Sequence, residues 1–274
     1  MIQPLNSKSI SKLSAKSMIF LFISVEAISI VLYLSGIYPQ FNVPNILSSA
    51  IITTLITIFF LKNTDTLENI DKSSLFFLLA FVCWFIAEIL YGYLGFFQID
   101  AYPSVADVFY LVGYLFLLLF LGFMNRLYKI EHGYIISALV TFSLFVFYVL
   151  YVSIYIFEVY TFSGSVINLT LLFVYPVVDL FIVVGAVMYY FRGKSISINK
   201  GHNFWIFIST AGFFSFIADL IFVYNDLFNF VENADLFDLF YNISYVLFGV
   251  AFIVKIKYTI EDNRNNLYAK KNKF

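Results

Sequence analysis

Eight apolar stretches, at roughly residues 18–36, 44–62, 75–97, 104–124, 134–157, 166–191, 203–225 and 236–257, alternate with short polar segments along the chain. A helix that crosses the hydrocarbon core needs about 20 apolar residues, so each stretch predicts one transmembrane helix. The first follows Lys8, Lys12 and Lys16, as the apolar core of a signal peptide would. Its run is longer than such a core and has no convincing cleavage site, so it is read as a retained helix.

The polar segments are of two kinds, and they alternate. Segments 1–17, 62–74, 125–133, 192–202 and 255–274 hold all 16 Lys and Arg, whereas 37–43, 98–103, 158–165 and 226–235 hold none. Loops rich in Lys and Arg stay in the cytoplasm, which predicts both termini on that side of a cell membrane. The opposite face carries Asp100, Glu158, Asp226, Glu232 and Asp235 without a basic partner. Either it draws cations to a mouth, or it is merely a translocated surface that avoids Lys and Arg.

Composition narrows the class further. The chain is 62% hydrophobic and 12% charged, with a mean hydropathy of +0.90 and 36 Phe and 21 Tyr. This lies well outside the balance of soluble domains. Cys83 is the single cysteine, and His132 and His202 both fall in basic loops. No intramolecular disulfide, CxxC motif or intramembrane histidine ligand is available, and no phosphate loop, HExxH or GxSxG occurs. No metal, cofactor or nucleic-acid partner is expected.

The chain also matches itself. Shifted by 131 residues, Phe85-Ile86-Ala87-Glu88 falls on Phe216-Ile217-Ala218-Asp219, Tyr93 on Tyr224 and Phe97 on Phe228. Asp107, Phe109, Tyr110 and Tyr114 fall on Asp238, Phe240, Tyr241 and Tyr245. Between 85 and 114 this gives nine identities in 30 positions without a gap. Carboxylates and tyrosines in register are the informative matches, because apolar residues align by composition alone. The expected fold is therefore all-α and polytopic, with eight transmembrane helices arranged as two parallel four-helix repeats about a pseudo-two-fold along the membrane normal. Its parts are a cytoplasmic segment 1–17, repeats 18–131 and 132–257, and a cytoplasmic tail 258–274.

Glu26, Glu88, Asp179 and Asp219 lie inside apolar stretches, and Asp107 and Asp238 near the outer ends of theirs. An acid at mid-membrane costs about 2.5–3.5 kcal/mol on insertion scales and normally faces a bundle interior or water. Asp107, Tyr110 and Tyr114 stand at i, i+3 and i+7, one helix face, and Asp238, Tyr241 and Tyr245 repeat it. Glu88 and Tyr91 share a face in the same way. At 1.5 Å per residue, Glu88 lies roughly 20 Å up a core of about 30 Å, level with Tyr110, so each repeat is expected to hold an acid–tyrosine ladder in its outer half. Candidate ligand- or cation-binding residues are Glu88, Tyr91, Asp107, Tyr110, Tyr114, Asp179, Asp219, Asp238, Tyr241 and Tyr245. The competing reading is that these acids only bond neighbouring tyrosines and serines and fix helix packing.

Pro176, three residues before Asp179, cannot donate to the helix ladder and should free a carbonyl about one turn earlier. Trp84, one turn below Glu88, either walls a pocket or packs. Lys255 and Lys257 are expected to reach the interface from the inner end of the last stretch.

Three motifs carry a family resemblance. Trp84-x-x-Ala87-Glu88-x-x-Tyr91, Pro103-Ser104-x-Ala106-Asp107-x-Phe109-Tyr110-Leu111-x-Gly113-Tyr114 and Tyr175-Pro176-x-x-Asp179 resemble the multi-helix membrane sensory domains that precede diguanylate cyclase (GGDEF) or histidine kinase domains in bacteria and archaea. The resemblance implies membrane-embedded sensing. After the eighth stretch 17 residues follow, Tyr258 to Phe274, so no output domain is expected, and a signal would leave through a partner or by rearrangement of an oligomer.

The expected function is thus a sensory or receptor-like module that binds a small ligand or cation in its outer half. Its expected partners are the lipid bilayer, a cytoplasmic or membrane signalling protein, and a second copy of the chain. A small ion- or proton-coupled transporter and a structural membrane subunit remain open as alternatives. No enzyme is expected, because paired carboxylates without a Ser/His or metal-ligand constellation do not make an active site.

Overall fold

The computed structural model describes residues 43–63, 72–97, 99, 102–128, 166–195, 202–228 and 238–271, with scattered residues between 20 and 31 and between 136 and 152. Among the described residues all but 97, 99 and 102–104 are α-helical. Six helices are described along their length: α1 (Val43–Asn63), α2 (Lys72–Phe96), α3 (Val105–Tyr128), α4 (Val166–Ser195), α5 (His202–Phe228) and α6 (Asp238–Lys271).

Five of them contain segments long and apolar enough to cross a membrane: Ser73–Phe96, Val105–Met124, Val166–Arg192, Asn203–Asp226 and Asp238–Lys255. In α1 the apolar segment Asn45–Ile58 is shorter. The expected stretches 18–36 and 134–157 fall largely outside the described residues, and those of their residues that are described are helical. Glu26 lies outside the described residues. The surfaces the helices turn outward are apolar: Phe181 is 51% exposed, Leu115 55% and Phe191 63%. Helices apolar on every face suit a lipid solvent, and the chain is a helical, multi-pass membrane protein.

The last helix runs on to Lys271, well beyond the apolar stretch that ends near 257. No Gly or Pro occurs between Tyr258 and Lys271, so nothing punctuates the helix once it leaves the apolar region.

Each helix packs on the next in the chain, and α6 packs back on α1, which closes a ring. The helices α1–α3 and α4–α6 form its two sides, joined at α3–α4 and at α6–α1. Phe77, Phe81, Phe120, Phe248 and Phe252 fill one end of the interior, each at most 1% exposed. The Phe77 and Phe252 rings stack 5.8 Å apart and 7° from parallel. Burying an aromatic of this size contributes about 1.5–3 kcal/mol where water is the alternative. In a bilayer the gain comes from close packing instead.

Polar ties run between the helices. Thr53 Oγ1 donates to the Phe81 carbonyl at 3.0 Å, and the Tyr189 hydroxyl donates to the Leu121 carbonyl. The proline in α4 behaves as its chemistry requires. Leu172, four residues before Pro176, has lost its helical N–H partner, and the buried Tyr148 hydroxyl donates to its carbonyl at 3.3 Å.

Lys255 reaches the start of α2. Its Nζ donates to Ser74 Oγ at 3.1 Å and lies 5.4 Å and 5.7 Å from the centres of the Phe120 and Phe204 rings. The ammonium gains about 0.5–2 kcal/mol from such rings and loses hydration of similar size. Lys255→Met should therefore change thermal stability by less than about 1 kcal/mol, and a loss several times larger in detergent unfolding would contradict this balance. The Lys257 side chain lies outside the described residues.

Candidate functional site

The site begins where α3 begins. Ser104 precedes the first turn, and its Oγ accepts the Ala106 N–H at 3.1 Å. Asp107 reaches back, and its Oδ2 accepts the Ser104 N–H at 2.6 Å. This reciprocal pair is a capping box, satisfying two backbone donors that a helix start leaves open. The Pro103-Ser104-x-Ala106-Asp107 stretch is thus first a helix start. Asp107 Oδ1 is also engaged, accepting the Tyr175 hydroxyl from α4 at 2.6 Å.

Beyond this cap the ring encloses a cavity in which about 110 Å³ is open to the centre of a water molecule. A single buried water needs only about 10–15 Å³ by that measure, so the space suits a small molecule or several waters. Nine of the ten expected residues line it: Glu88, Tyr91, Asp107, Tyr110, Tyr114, Asp219, Asp238, Tyr241 and Tyr245. Asp179 is not among the lining residues but lies directly behind them, 1% exposed, accepting the Tyr114 hydroxyl at 2.9 Å. Among the described residues no Lys, Arg or His lines the cavity.

The expected ladders within each half are present only in part. In the second half Tyr241 donates to Asp219 Oδ1 at 2.6 Å. At the matching positions Tyr110 approaches Glu88, but the short bond to Glu88 Oε1, 2.7 Å, comes from Tyr245 in the other half of the chain. The counterpart of that crossing bond would run from Tyr114 to Asp219. Asp179 stands in its way: it takes the Tyr114 hydroxyl and sets its carboxyl against that of Asp219. The Oδ2 atoms of Asp179 and Asp219 have no hydrogen-bond donor, and neither has Glu88 Oε2. A proton on one aspartate would join the pair.

Trp84 is both pocket wall and packing element. It lines the cavity, is 4% exposed, and its Nε1–H donates to the Tyr110 carbonyl at 3.1 Å. Its indole lies against Gly113, where a Cβ would overlap Cδ1 and Nε1. The positions 131 residues further on are Ser215 and Ser244, whose hydroxyls bond each other at 2.6 Å. One helix pair is thus closed by a large side chain on none, and the other by two small polar ones.

Tyr102, in the turn between α2 and α3, covers one side of the cavity. Its ring meets Phe222 edge-on at 4.9 Å, and its hydroxyl donates to the Asn168 carbonyl at 3.2 Å. Burial first, and then the negative charge of Asp107, pushes this phenol far above its ordinary range, so it stays a donor.

Several lining residues were not anticipated: Asn45 on α1, Tyr175 on α4, Ser215 and Phe222 on α5, and Ser244 on α6. Tyr175 and Phe222 carried a signal, the first beside Pro176 and the second at the repeat position of Tyr91. Asn45, 3% exposed at the start of an apolar helix with its Oδ1 unpartnered, has no periodic partner to mark it. No protein-family model, curated protein or solved structure matches the chain.

Proposed function

We propose that this protein is a sensory or receptor-like module of the cell membrane that binds a small ligand or cation in the acid–tyrosine cavity and signals through a partner. The observation that carries this reading is the cavity itself. Carboxylates from four different helices border it without a basic residue, and two of them keep a buried, unpartnered oxygen. Packing alone would favour full pairing, since an unsatisfied buried acceptor costs about 1–3 kcal/mol and more when charged. The resemblance of the Trp84, Pro103–Tyr114 and Tyr175–Asp179 motifs to sensory domains supports the same reading.

On this reading eight helices thread the bilayer with both termini cytoplasmic, and the cavity opens towards the outer face. The basic inner loops and tail would meet the partner. A duplication of a four-helix unit accounts for the two-sided ring and for the bonds that cross between its halves.

The test is thermal unfolding of the detergent-purified chain across pH and a panel of mono- and divalent cations, organic ammonium ions among them, for wild type and for Glu88→Gln/Asp219→Asn. Wild type should be stabilised by a cation, increasingly as pH rises, because cations bind the deprotonated carboxylates. The double variant should lose that response. Identical curves for the two proteins, together with no partner recovered through the cytoplasmic tail, would refute the reading.

A proton- or ion-coupled transporter is the second reading, favoured by the Asp179–Asp219 carboxyl contact beside a proline-interrupted helix. Against it, Phe77, Phe81, Phe120 and Phe248 close the interior beyond the cavity. Proton or cation flux in proteoliposomes, abolished by Asp219→Asn, would decide for transport.

A further inference from the structure

We infer that the cavity is built for a primary ammonium ion, an alkyl- or arylalkylammonium whose N–H donors meet unpartnered oxygens of the lining and whose carbon chain lies on the aromatic walls. The inference rests on the receptor reading of this cavity and adds the chemical class of the ligand.

The first observation is what the cavity lacks. Asn45 Oδ1, Glu88 Oε2 and Asp219 Oδ2 are buried and have no hydrogen-bond partner. Their residues are 3%, 3% and 6% exposed, and all three line the same cavity from α1, α2 and α5. All three atoms are acceptors, so the missing groups are donors; a proton shared with Asp179 would serve Asp219 Oδ2, which leaves Asn45 Oδ1 and Glu88 Oε2 to the ligand. Of the lining tyrosines, Tyr175, Tyr241 and Tyr245 already spend their hydroxyl protons on Asp107, Asp219 Oδ1 and Glu88 Oε1, and Tyr110 approaches Glu88 but leaves its Oε2 without a partner. A primary ammonium brings three N–H donors and the positive charge that the lining lacks.

The second observation concerns metal ions. Among the described residues no three His, Cys, Asp or Glu side chains converge closely enough to hold one.

The third is the nature of the walls. Trp84, Tyr91 and Phe222 offer ring surface beside the acids, and an ammonium near an aromatic face is attracted by the ring quadrupole. Carboxylate, acceptor and ring together select a cation with both donors and an apolar body. A quaternary ammonium would satisfy the charge but leave the acceptors empty, and a neutral amphiphile would leave the charge.

Butylammonium is the probe, with tetramethylammonium, potassium, calcium and 1-butanol compared at matched ionic strength. Purified full-length protein should gain on the order of 5 °C in Tm at saturating butylammonium. The other four should shift it little, and Glu88→Gln and Asp219→Asn should each abolish the gain. Because these variants can also weaken folding, a second readout uses wild type alone. Trp84 lines the cavity, whereas the other tryptophan, Trp205, is fully buried in the apolar core, so butylammonium should change tryptophan fluorescence saturably. Stabilisation by potassium or calcium but not by butylammonium would overturn the organic-cation inference and leave the receptor reading standing. Equal effects of butanol or tetramethylammonium would overturn the donor argument. No response to any probe in either readout would overturn the inference, and the pH and partner experiments would then decide the receptor reading separately.

Discussion

Gly113→Ala should lower the stability of this protein by about 2–3 kcal/mol, far more than a single methyl group ordinarily costs. Helix propensity argues the other way, since alanine is favoured over glycine by about 1 kcal/mol in a helix interior. Space decides the sign. The new Cβ would overlap Trp84 Cδ1 and Nε1 and stand 3.1 Å from the Ala80 carbonyl oxygen. On the side away from the cavity the indole is held, because its rings meet Phe81, Tyr114 and Tyr245 with centres 5.2, 5.0 and 6.0 Å away. Overpacking of this kind costs about 1–3 kcal/mol or more, and moving the indole also breaks its bond to the Tyr110 carbonyl, worth about 1 kcal/mol. Two controls make the result specific. Gly122 lies on the same helix with open space around it, so Gly122→Ala should be neutral or slightly stabilising. Ser244→Ala, at the position matching Gly113, should cost only about 1–2 kcal/mol by stranding the Ser215 hydroxyl. Equal melting of Gly113→Ala and wild type would show that the Trp84 wall is softer than the packing implies.

The acids and tyrosines of the site were legible in the sequence because the bilayer makes polar residues conspicuous. Glu88 and Asp219 stand out in apolar runs, and the i, i+3, i+7 spacing puts Asp107, Tyr110 and Tyr114 on one helix face whatever the neighbours are. The carbonyl freed by Pro176 followed from covalent chemistry alone. Pairing was not legible. The bond from Tyr245 to Glu88 joins residues 157 apart, and depth arithmetic cannot tell a neighbour within one half from a neighbour across the ring. Asp107 fits two patterns in the sequence, a membrane acid and the end of the capping pattern Ser104-x-x-Asp107, and only contact shows that it serves the helix start as well. The exchange of Trp84 and Gly113 for Ser215 and Ser244 was visible in the alignment of the chain with itself. It shows no identity, however, and only contact gives it meaning. The far end of the bundle was the least readable, because Phe77, Phe120 and Phe252 are indistinguishable in sequence from the phenylalanines that face lipid.

Asp179→Asn should leave the protein at least as stable as wild type whereas Asp179→Leu should destabilise it, and the contrast tests how the polar interior is held together. Asp179 accepts the Tyr114 hydroxyl at Oδ1, while its Oδ2 and that of Asp219 lack a donor in a shared contact. An asparagine keeps an oxygen for Tyr114 and presents an N–H to Asp219, so each group finds a partner. A hydrogen bond to a charged group contributes about 1.5–3 kcal/mol, against the loss of whatever proton the pair shared. Asp179→Asn should therefore be at least as stable as wild type. Leucine removes both roles, leaving a buried hydroxyl and a buried carboxyl unpaired at about 1–3 kcal/mol each. Detergent unfolding of the two variants, with Tyr114→Phe/Asp179→Leu as the partner-free control, separates the terms. The double variant should recover part of the loss of Asp179→Leu, because replacing both partners of a bond costs less than stranding one. Were asparagine as damaging as leucine, position 179 would require a negative charge and not merely an acceptor. That charge would need a cation beside it, which would extend the binding site behind Tyr114 into α4.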